Sequence, residues 1–435
     1  MDPVTIGLMG VVGVFTLLFL GMPIAMACML VGMAGIGYLS NPEAALDKVA
    51  STVYEVTSFY PYTVIPLFIM MGGFCTTSGM TSQLFSTFEK WLRRLPGGLG
   101  IATIAACAGF AAVSGSSVAS AAAMGTIAIP EMLRYNYSPR LAAGCVVAGG
   151  TLAFLIPPSI GFVVFGMLTE QSIGKLLVAG CLPGLVMALL YVGLVLVWVK
   201  IDPHMAPTSP EPVSWSEKIR SLRGVWGTLS LFLLVIGGIY LGFFTATEAA
   251  AVGATVMFLV VLIQRKLTWS GFVGTLQDAV RISAMVLFLV AGANVFSYFL
   301  ALSTIPTQVA AWATELEVSR YFILAVILLI YLFLGCLLDA ISMMVLTLPV
   351  VFPVITALHF QPIWFGVVAV LMMEAGLITP PMGLNVFTVA GVIPDVPLET
   401  VFRGSMPFLI CIVLICVILT VFPQIAMVLP QMMTR

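Results

Sequence analysis

The chain has 435 residues, 61% of them hydrophobic and 8% charged, with a net charge of −1 and a mean hydropathy of +1.16. Soluble globular chains carry roughly 25% charged residues, so the composition excludes that class and describes a polytopic membrane protein. The near-zero net charge excludes a bulk electrostatic partner such as nucleic acid, and the two histidines, His204 and His359, fall in different loops and leave no histidine pair for a metal.

A membrane-crossing helix needs about 20 apolar residues. The opening MDPVTIGLMG has no basic region and reads as the start of a first membrane helix, not as a cleaved signal. Residues 5–39 are too long for one crossing, and Gly21-Met22-Pro23 divides them into two helices. Residues 40–57 hold Pro42, Glu43, Asp47, Lys48 and Glu55 and read as an interfacial arm before a third span over 58–79. An amphipathic arm over 80–98 closes on Lys90, Arg93, Arg94 and the breaker Pro96-Gly97-Gly98. Residues 99–132 are apolar but interrupted at Ser114-Gly115-Ser116-Ser117, and the two short arms predict a re-entrant hairpin. Residues 140–168 predict one crossing broken at Gly149-Gly150 and at Pro157-Pro158. Adjacent prolines lack two N–H groups and clash with the preceding turn, so no helix runs through them. A further span covers 176–200.

Residues 201–224 form the longest polar segment, with Pro203, Pro207, Pro210 and Pro212 and then Lys218, Arg220 and Arg223. This segment separates a first half, 1–200, from a second half, 225–435, and reads as a linker on the cytoplasmic side. Residues 225–264 again exceed one crossing and divide near Thr245-Ala246-Thr247-Glu248. A polar arm over 265–280, a span over 281–303 and an arm over 304–320 follow. Residues 321–357 form a second interrupted hairpin, broken between Gly335 and Ser342, and 362–393 a second broken crossing with Thr379-Pro380-Pro381. The last span is expected over 405–430. Eight cysteines sit in apolar runs without C-x-x-C spacing and read as small buried hydrophobes.

The halves repeat. Phe68 pairs with Phe288, Pro130 with Pro349 and Pro157 with Pro380, all at a shift of about 220 residues. Five crossings and a hairpin in each half give an odd number, so the halves lie in opposite orientations, the plan of secondary transporters. With the N-terminus outside, segments 80–98, 132–140, 200–224, 264–281 and 393–404 face the cytoplasm and hold 13 of the 17 basic residues. The other four are Lys48, Lys175, Arg320 and Arg435. The positive-inside rule therefore predicts both termini outside.

The four interruptions carry the chemistry. A broken backbone is tolerated at membrane depth only where it is buried in protein or lines a wet cavity. Freed carbonyls there can coordinate a desolvated Na⁺, and helix N-termini aim partial positive charge at an anion. Ser114, Ser116, Ser117, Thr151, Thr379 and Asn385 add neutral oxygens or amides suited to Na⁺ rather than to a transition metal. Asp339, an intramembrane acid, has three open roles: coordinating a cation, taking up a proton, or capping the second hairpin arm. Glu248 and Glu374 read equally well as interface residues and are not assigned to the site.

The segments GSSVASAAAMGTIAIPEM, AGGTLAFLIPPSIGFVVFG, TATEAAAVGA, GCLLDAISMMVLTLPVVFPV and EAGLITPPMGLNVFTVAG, in this order, resemble the large membrane subunit of tripartite ATP-independent periplasmic (TRAP) transporters, the DctM-like family. The resemblance runs nearly end to end. It implies an all-α, inverted-repeat, elevator-type Na⁺-driven importer in the bacterial inner membrane, with two re-entrant hairpins and two broken transmembrane helices. It implies two partners, a small four-helix membrane subunit and a periplasmic substrate-binding protein. The chain has no extra N-terminal helices, so the small subunit is expected as a separate polypeptide. Na⁺ sites are implied at Ser114, Ser116, Ser117, Gly150 and Pro157, and at Gly335, Asp339, Gly376, Thr379 and Met382. The substrate is expected between the same tips, against Ser116, Ser117, Pro158, Ser159, Pro381 and Asn385. The family favours an organic acid, a C4-dicarboxylate or an acidic sugar.

Three other readings meet this pattern to different degrees. A self-sufficient Na⁺- or H⁺-coupled anion transporter has the same inverted-hairpin plan, whereas a channel fits two closed hairpin tips poorly. An intramembrane enzyme built on Ser116 or Asp339 has neither a core histidine nor a second acid beside Asp339.

Overall fold

The computed structural model describes residues 2–207 and 213–433; Pro210, Pro212 and Arg435 lie outside them. The first half opens with α1 (Pro3–Phe19), α2 (Ile24–Leu39) and α3 (Pro42–Ser58), then a 3-10 turn (Tyr60–Thr63), α4 (Val64–Ser78) and α5 (Met80–Leu92). A hairpin of α6 (Gly98–Ser114) and α7 (Ser117–Arg134) follows. The broken crossing is α8 (Pro139–Leu155) with α9 (Ile160–Thr169), and α10 (Ile173–Ile201) closes the half.

The second half begins with α11 (Trp215–Ser221), α12 (Arg223–Phe232), a π-helical turn (Leu233–Gly237) and α13 (Gly238–Tyr240). It continues through α14 (Ala246–Ile263), α15 (Trp269–Leu302) and α16 (Ile305–Glu315). Its hairpin is α17 (Arg320–Gly335) with α18 (Ala340–Ala357), and its broken crossing is α19 (Pro362–Leu377) with α20 (Leu384–Val392). The chain ends in α21 (Leu398–Val421) and α22 (Gln424–Met432). No strand occurs among the described residues. Six of these segments are long and apolar enough to cross a membrane, or up to eight when two bent helix pairs are each taken as one span.

Local chemistry explains most boundaries. Asn41 caps α3 by accepting the Ala44 N–H at 2.7 Å, and Pro42 occupies the first helical position. Thr245 and Glu248 form a reciprocal capping box that starts α14, which gives Glu248 a structural role. Ser172 caps α10 by accepting the Lys175 N–H at 3.4 Å.

Two groups of helices pack mainly within themselves and meet where α4 touches α6 and α15 touches α18. Helices α2, α4, α14 and α15 form one group, with α2 against α15 and α4 against α14. In the other group α8 packs against α6, α7 and α21, and α19 packs against α17, α18 and α21. The half-helix of each broken crossing reaches into the opposite half: α20 packs on α7, and α9 packs on α18. The amphipathic arms lie along the hairpins, α5 on α6 and α16 on α18. These reciprocal pairs are the two-fold repeat expected from the sequence. Lipid tails are as apolar as leucine, so close contact depends on small residues that let backbones approach. Between α17 and α19 a Cβ on Gly376 would lie 2.4 Å from the Gly335 backbone.

Four boundaries differ from expectation. The arm over 265–280 and the span over 281–303 are one continuous 34-residue helix, α15. Its counterpart, α3 with the turn and α4, is bent by 56°. Pro61 interrupts the first half at that point, and α15 contains no proline. The last span ends at Val421, not 430, because Pro423 stops the helix and α22 restarts beyond it. Gly149-Gly150 do not break α8 but run through it, and only the proline pair interrupts the crossing. The polar segment 201–224 is shorter than expected: α10 continues to Ile201, and a helical segment long and apolar enough to cross starts at Trp215.

The contact between α17 and α19 gives a direct test. Gly376→Ala should lower the thermal midpoint of the purified protein, with overpacking costing about 1–3 kcal/mol. Gly193→Ala in α10, where an added methyl meets nothing within 4 Å, should keep or raise it, since Ala exceeds Gly in a helix by about 1 kcal/mol.

Candidate functional site

The first hairpin tip and the first proline break satisfy each other. α6 ends at Gly115, whose φ of +67° is a conformation that side chains disfavour. A Cβ there would also lie 2.8 Å from the Pro158 carbonyl oxygen. The Gly115 carbonyl accepts the Ile160 N–H at 3.3 Å. Ser116 caps α7 by accepting the Ala119 N–H at 3.4 Å. Pro158 has no N–H for the Phe154 carbonyl one turn back, and the Ser159 hydroxyl donates to that carbonyl instead. The same hydroxyl accepts the Phe162 N–H at 3.3 Å and so caps α9.

The second tip repeats the arrangement with a charge in it. Asp339 caps α18, accepting the Ser342 N–H at 3.2 Å and the Ser342 hydroxyl. The Cys336 carbonyl accepts the Met382 N–H at 3.3 Å, which ties this tip to the second proline pair. The Thr379 hydroxyl donates to the Ala375 carbonyl at 2.6 Å. Both proline pairs, Pro157-Pro158 and Pro380-Pro381, are joined by cis peptide bonds.

Between the two helix groups lies a cavity of about 1090 Å³, reached by both hairpin tips. Ser114, Ser116, Ser117, Asp339 and Ser342 line it, with Phe110, Phe154 and Phe288 among its apolar walls. Along α15 it touches Gly271 to Leu289. A second cavity of about 1410 Å³ touches the same helix at Asn294 to Tyr298, toward its other end, and contains no tip residue. Of these two cavities, only the first reaches the tips.

The remaining sequence-predicted residues are distributed as follows. Gly150, Pro157, Pro158, Ser159, Gly335, Gly376 and Asn385 are buried around the tips without lining the cavity. Thr379 is half-buried, and the side chains of Pro381 and Met382 are exposed away from the cavity wall. Gly149 and Gly150 serve close approach: a Cβ on Gly150 would meet the Ser117 carbonyl oxygen at 3.1 Å.

Ser117 and Asn385 meet directly, and they meet a residue the sequence left unassigned. The Ser117 hydroxyl donates to Glu374 Oε2 at 2.7 Å and accepts from Asn385 Nδ2 at 2.7 Å. Glu374 is 1% exposed and Asn385 0%. Glu374 Oε1 and Asn385 Oδ1 have no hydrogen-bond partner among the described residues. The signal for Glu374 was its position six residues before Pro380, where the first half carries Thr151 six residues before Pro157. Thr151 is also buried and shares a 2.9 Å hydrogen bond with Tyr191. Oxygen-only donors with buried acceptors left over fit an alkali cation; among the described residues no cluster of histidine, cysteine and carboxylate fits a transition metal.

Two hairpins crossed with two broken helices beside a shared cavity define an inverted-repeat membrane transporter. Residues 11–425 match the family model of the tripartite ATP-independent periplasmic transporter, DctM component. The C4-dicarboxylate TRAP transporter large permease protein of Pseudomonas aeruginosa is 36% identical over 395 residues, covering 90% of this chain and 91% of that one. The sialic acid TRAP transporter large permease protein of Vibrio cholerae is 31% identical over 417 residues, covering 96% of each. The solved YdaH transporter of Alcanivorax borkumensis shares the fold at a TM-score of 0.63 and 16% identity, covering 88% of this chain and 89% of that one. The chain belongs to the DctM family and is a large permease subunit of a TRAP transporter, a system that also has a substrate-binding protein and a small membrane subunit.

Ser117→Ala should be destabilising out of proportion to its size. It leaves Glu374 Oε2 and Asn385 Nδ2 without their shared partner, and each buried unpaired group costs about 1–3 kcal/mol. A thermal midpoint well below that of Ser114→Ala in the same detergent is the expected result.

Proposed function

We propose that this permease subunit performs Na⁺-coupled import of an organic acid delivered by a periplasmic binding protein, with the hairpins and broken crossings moving as one body against the remaining helices. The observation that carries this reading is the meeting of both hairpin tips with both proline breaks beside a cavity that runs toward the Gly271 end of α15. Helices α2, α4 and α15 supply the far wall of that cavity, and the tips and half-helices supply the near wall. A displacement of the near wall along the far wall would exchange the side from which the tips are reached. The basic residues cluster at the end where α4 finishes and α15 starts, as Lys90, Arg93, Arg94, Arg265 and Lys266. The positive-inside rule makes that end cytoplasmic, so the arrangement is the inward-open one, in the inner membrane with both termini periplasmic.

Freed carbonyls and hydroxyls at the tips hold the coupling Na⁺, while the N-termini of α7 and α18 favour the carboxylate of the substrate. The cavity wall contains no lysine, arginine or histidine, so the acid is held by helix ends and neutral groups. The small subunit is read as a separate four-helix chain against the exposed apolar faces of the scaffold, which otherwise meet lipid. The relatives' named substrates include a C4-dicarboxylate and sialic acid, and either class suits such a site.

Reconstitution tests the reading. In proteoliposomes, Na⁺-driven uptake should require this chain, the small subunit and the binding protein together; robust uptake by the chain alone would favour the self-sufficient transporter. Thr379→Val keeps the β-branched shape but removes a hydroxyl beside the second proline pair. A loss of about 1.4 kcal/mol is tenfold in affinity, so the Na⁺ activation curve should move to about tenfold higher concentration. An unshifted curve would remove Thr379 from the site.

A further inference from the structure

The two tips are alike in backbone and unlike in charge. The second hairpin starts α18 with a carboxylate, Asp339, where the first starts α7 with a neutral hydroxyl, Ser116. Six residues before the proline pair, the second crossing carries Glu374 and the first carries Thr151. Both acids near the tips therefore belong to the second half, but Glu374 does not point at the second hairpin. It crosses to the first, where its Oε2 accepts the Ser117 hydroxyl at 2.7 Å.

An isolated buried carboxylate is costly unless it is paired. Glu374 makes no ion pair among the described residues. The bases on the helices packed around it stand at helix ends: Arg140 starts α8, Lys175 and Lys200 lie at the two ends of α10, and Arg320 starts α17. Arg403 of α21 pairs with Glu399. Neutralisation therefore falls to a bound proton or to a cation from outside the chain. The first cation site, as read from the sequence, has the opposite deficit, because Ser114, Ser116, Ser117, Gly150 and Pro157 offer only neutral oxygens.

Resting on the Na⁺-coupled reading above, we propose that Glu374 is the anionic ligand of the first cation site, with the Asn385 carbonyl oxygen as a further donor. Each site then has one carboxylate, Glu374 for the first and Asp339 for the second. The first site is built from both halves, since Ser117 comes from the first hairpin and Glu374 and Asn385 from the second broken crossing. Binding of the ion there latches α7 onto α19 and α20, so occupancy of the first site also fixes the second half's half-helix in place.

The test reads ion binding without transport. The purified chain carrying Thr379→Val, which weakens the second site, is melted in increasing NaCl with choline chloride holding ionic strength constant. Its midpoint should rise with Na⁺. Adding Glu374→Gln should leave the midpoint in choline unchanged or higher, because a buried charge has been removed. The half-saturating Na⁺ concentration should increase at least tenfold. An unchanged Na⁺ dependence in Glu374→Gln would overturn the proposal while leaving the Na⁺ reading intact. A parent protein that never responds to Na⁺ would overturn both. Should Glu374→Gln fail to accumulate, Glu374→Asp, which keeps the charge but withdraws it by one methylene, should raise the half-saturating concentration severalfold, and an unmoved value would again be decisive against the proposal.

Discussion

Four interruptions of apolar helices leave backbone polar groups at membrane depth without a helix partner. Hydrocarbon offers those groups nothing, and each unsatisfied one costs several kcal/mol. In this chain the interruptions answer one another in pairs: the Gly115 carbonyl takes the Ile160 N–H, and the Cys336 carbonyl takes the Met382 N–H. Other donors fill gaps that the prolines leave: the Ser159 hydroxyl takes the Phe154 carbonyl, and the Thr379 N–H takes the Gly376 carbonyl. The hairpins, the broken crossings and the helices wrapped around α8 depend on this mutual satisfaction, since no single interruption is stable in isolation.

The satisfaction is incomplete in a patterned way. Carbonyls at breaks keep a second lone pair, and the side chains nearest them are small and oxygen-bearing. Those are the properties a desolvated alkali ion requires. Around the tips, packing is close enough that glycine is the residue that fits between α17 and α19. On the side facing α2, α4 and α15, the contact opens into the cavity. Tight packing within one group of helices and an open cleft between the groups are what a body that moves as a unit needs.

Symmetry explains the architecture, and its violations explain the chemistry. A kinked α3–α4 stands against a straight α15, Ser116 against Asp339, and Thr151 against Glu374. A strictly symmetric site would be either neutral twice or charged twice. Divergence of the halves has put both carboxylates in one of them, and the crossing of α20 onto α7 and α9 onto α18 redistributes them in space.

The sequence by itself determined the element order, the two hairpins, the two proline breaks and the family, because these follow from hydropathy, from proline's missing N–H and from a specific motif series. It also placed Ser114, Ser116, Ser117 and Asp339 at the tips, since each lies where an apolar segment is interrupted. It misjudged where a helix continues past a composition change, as in α15, because 34 residues without proline stay helical whether or not their first turns are polar. It treated Gly149-Gly150 as a break because glycine marks both breaks and close contacts, and only the neighbour at 3.1 Å distinguishes them. It left Glu374 unassigned for a related reason. An acid near the end of an apolar run looks the same whether it reaches an interface or the core, and its partner Ser117 lies 257 residues away along the chain. Only the tertiary packing of α19 and α20 against α7 decided that this carboxylate is buried, because burial depends on what the other half of the chain places over it.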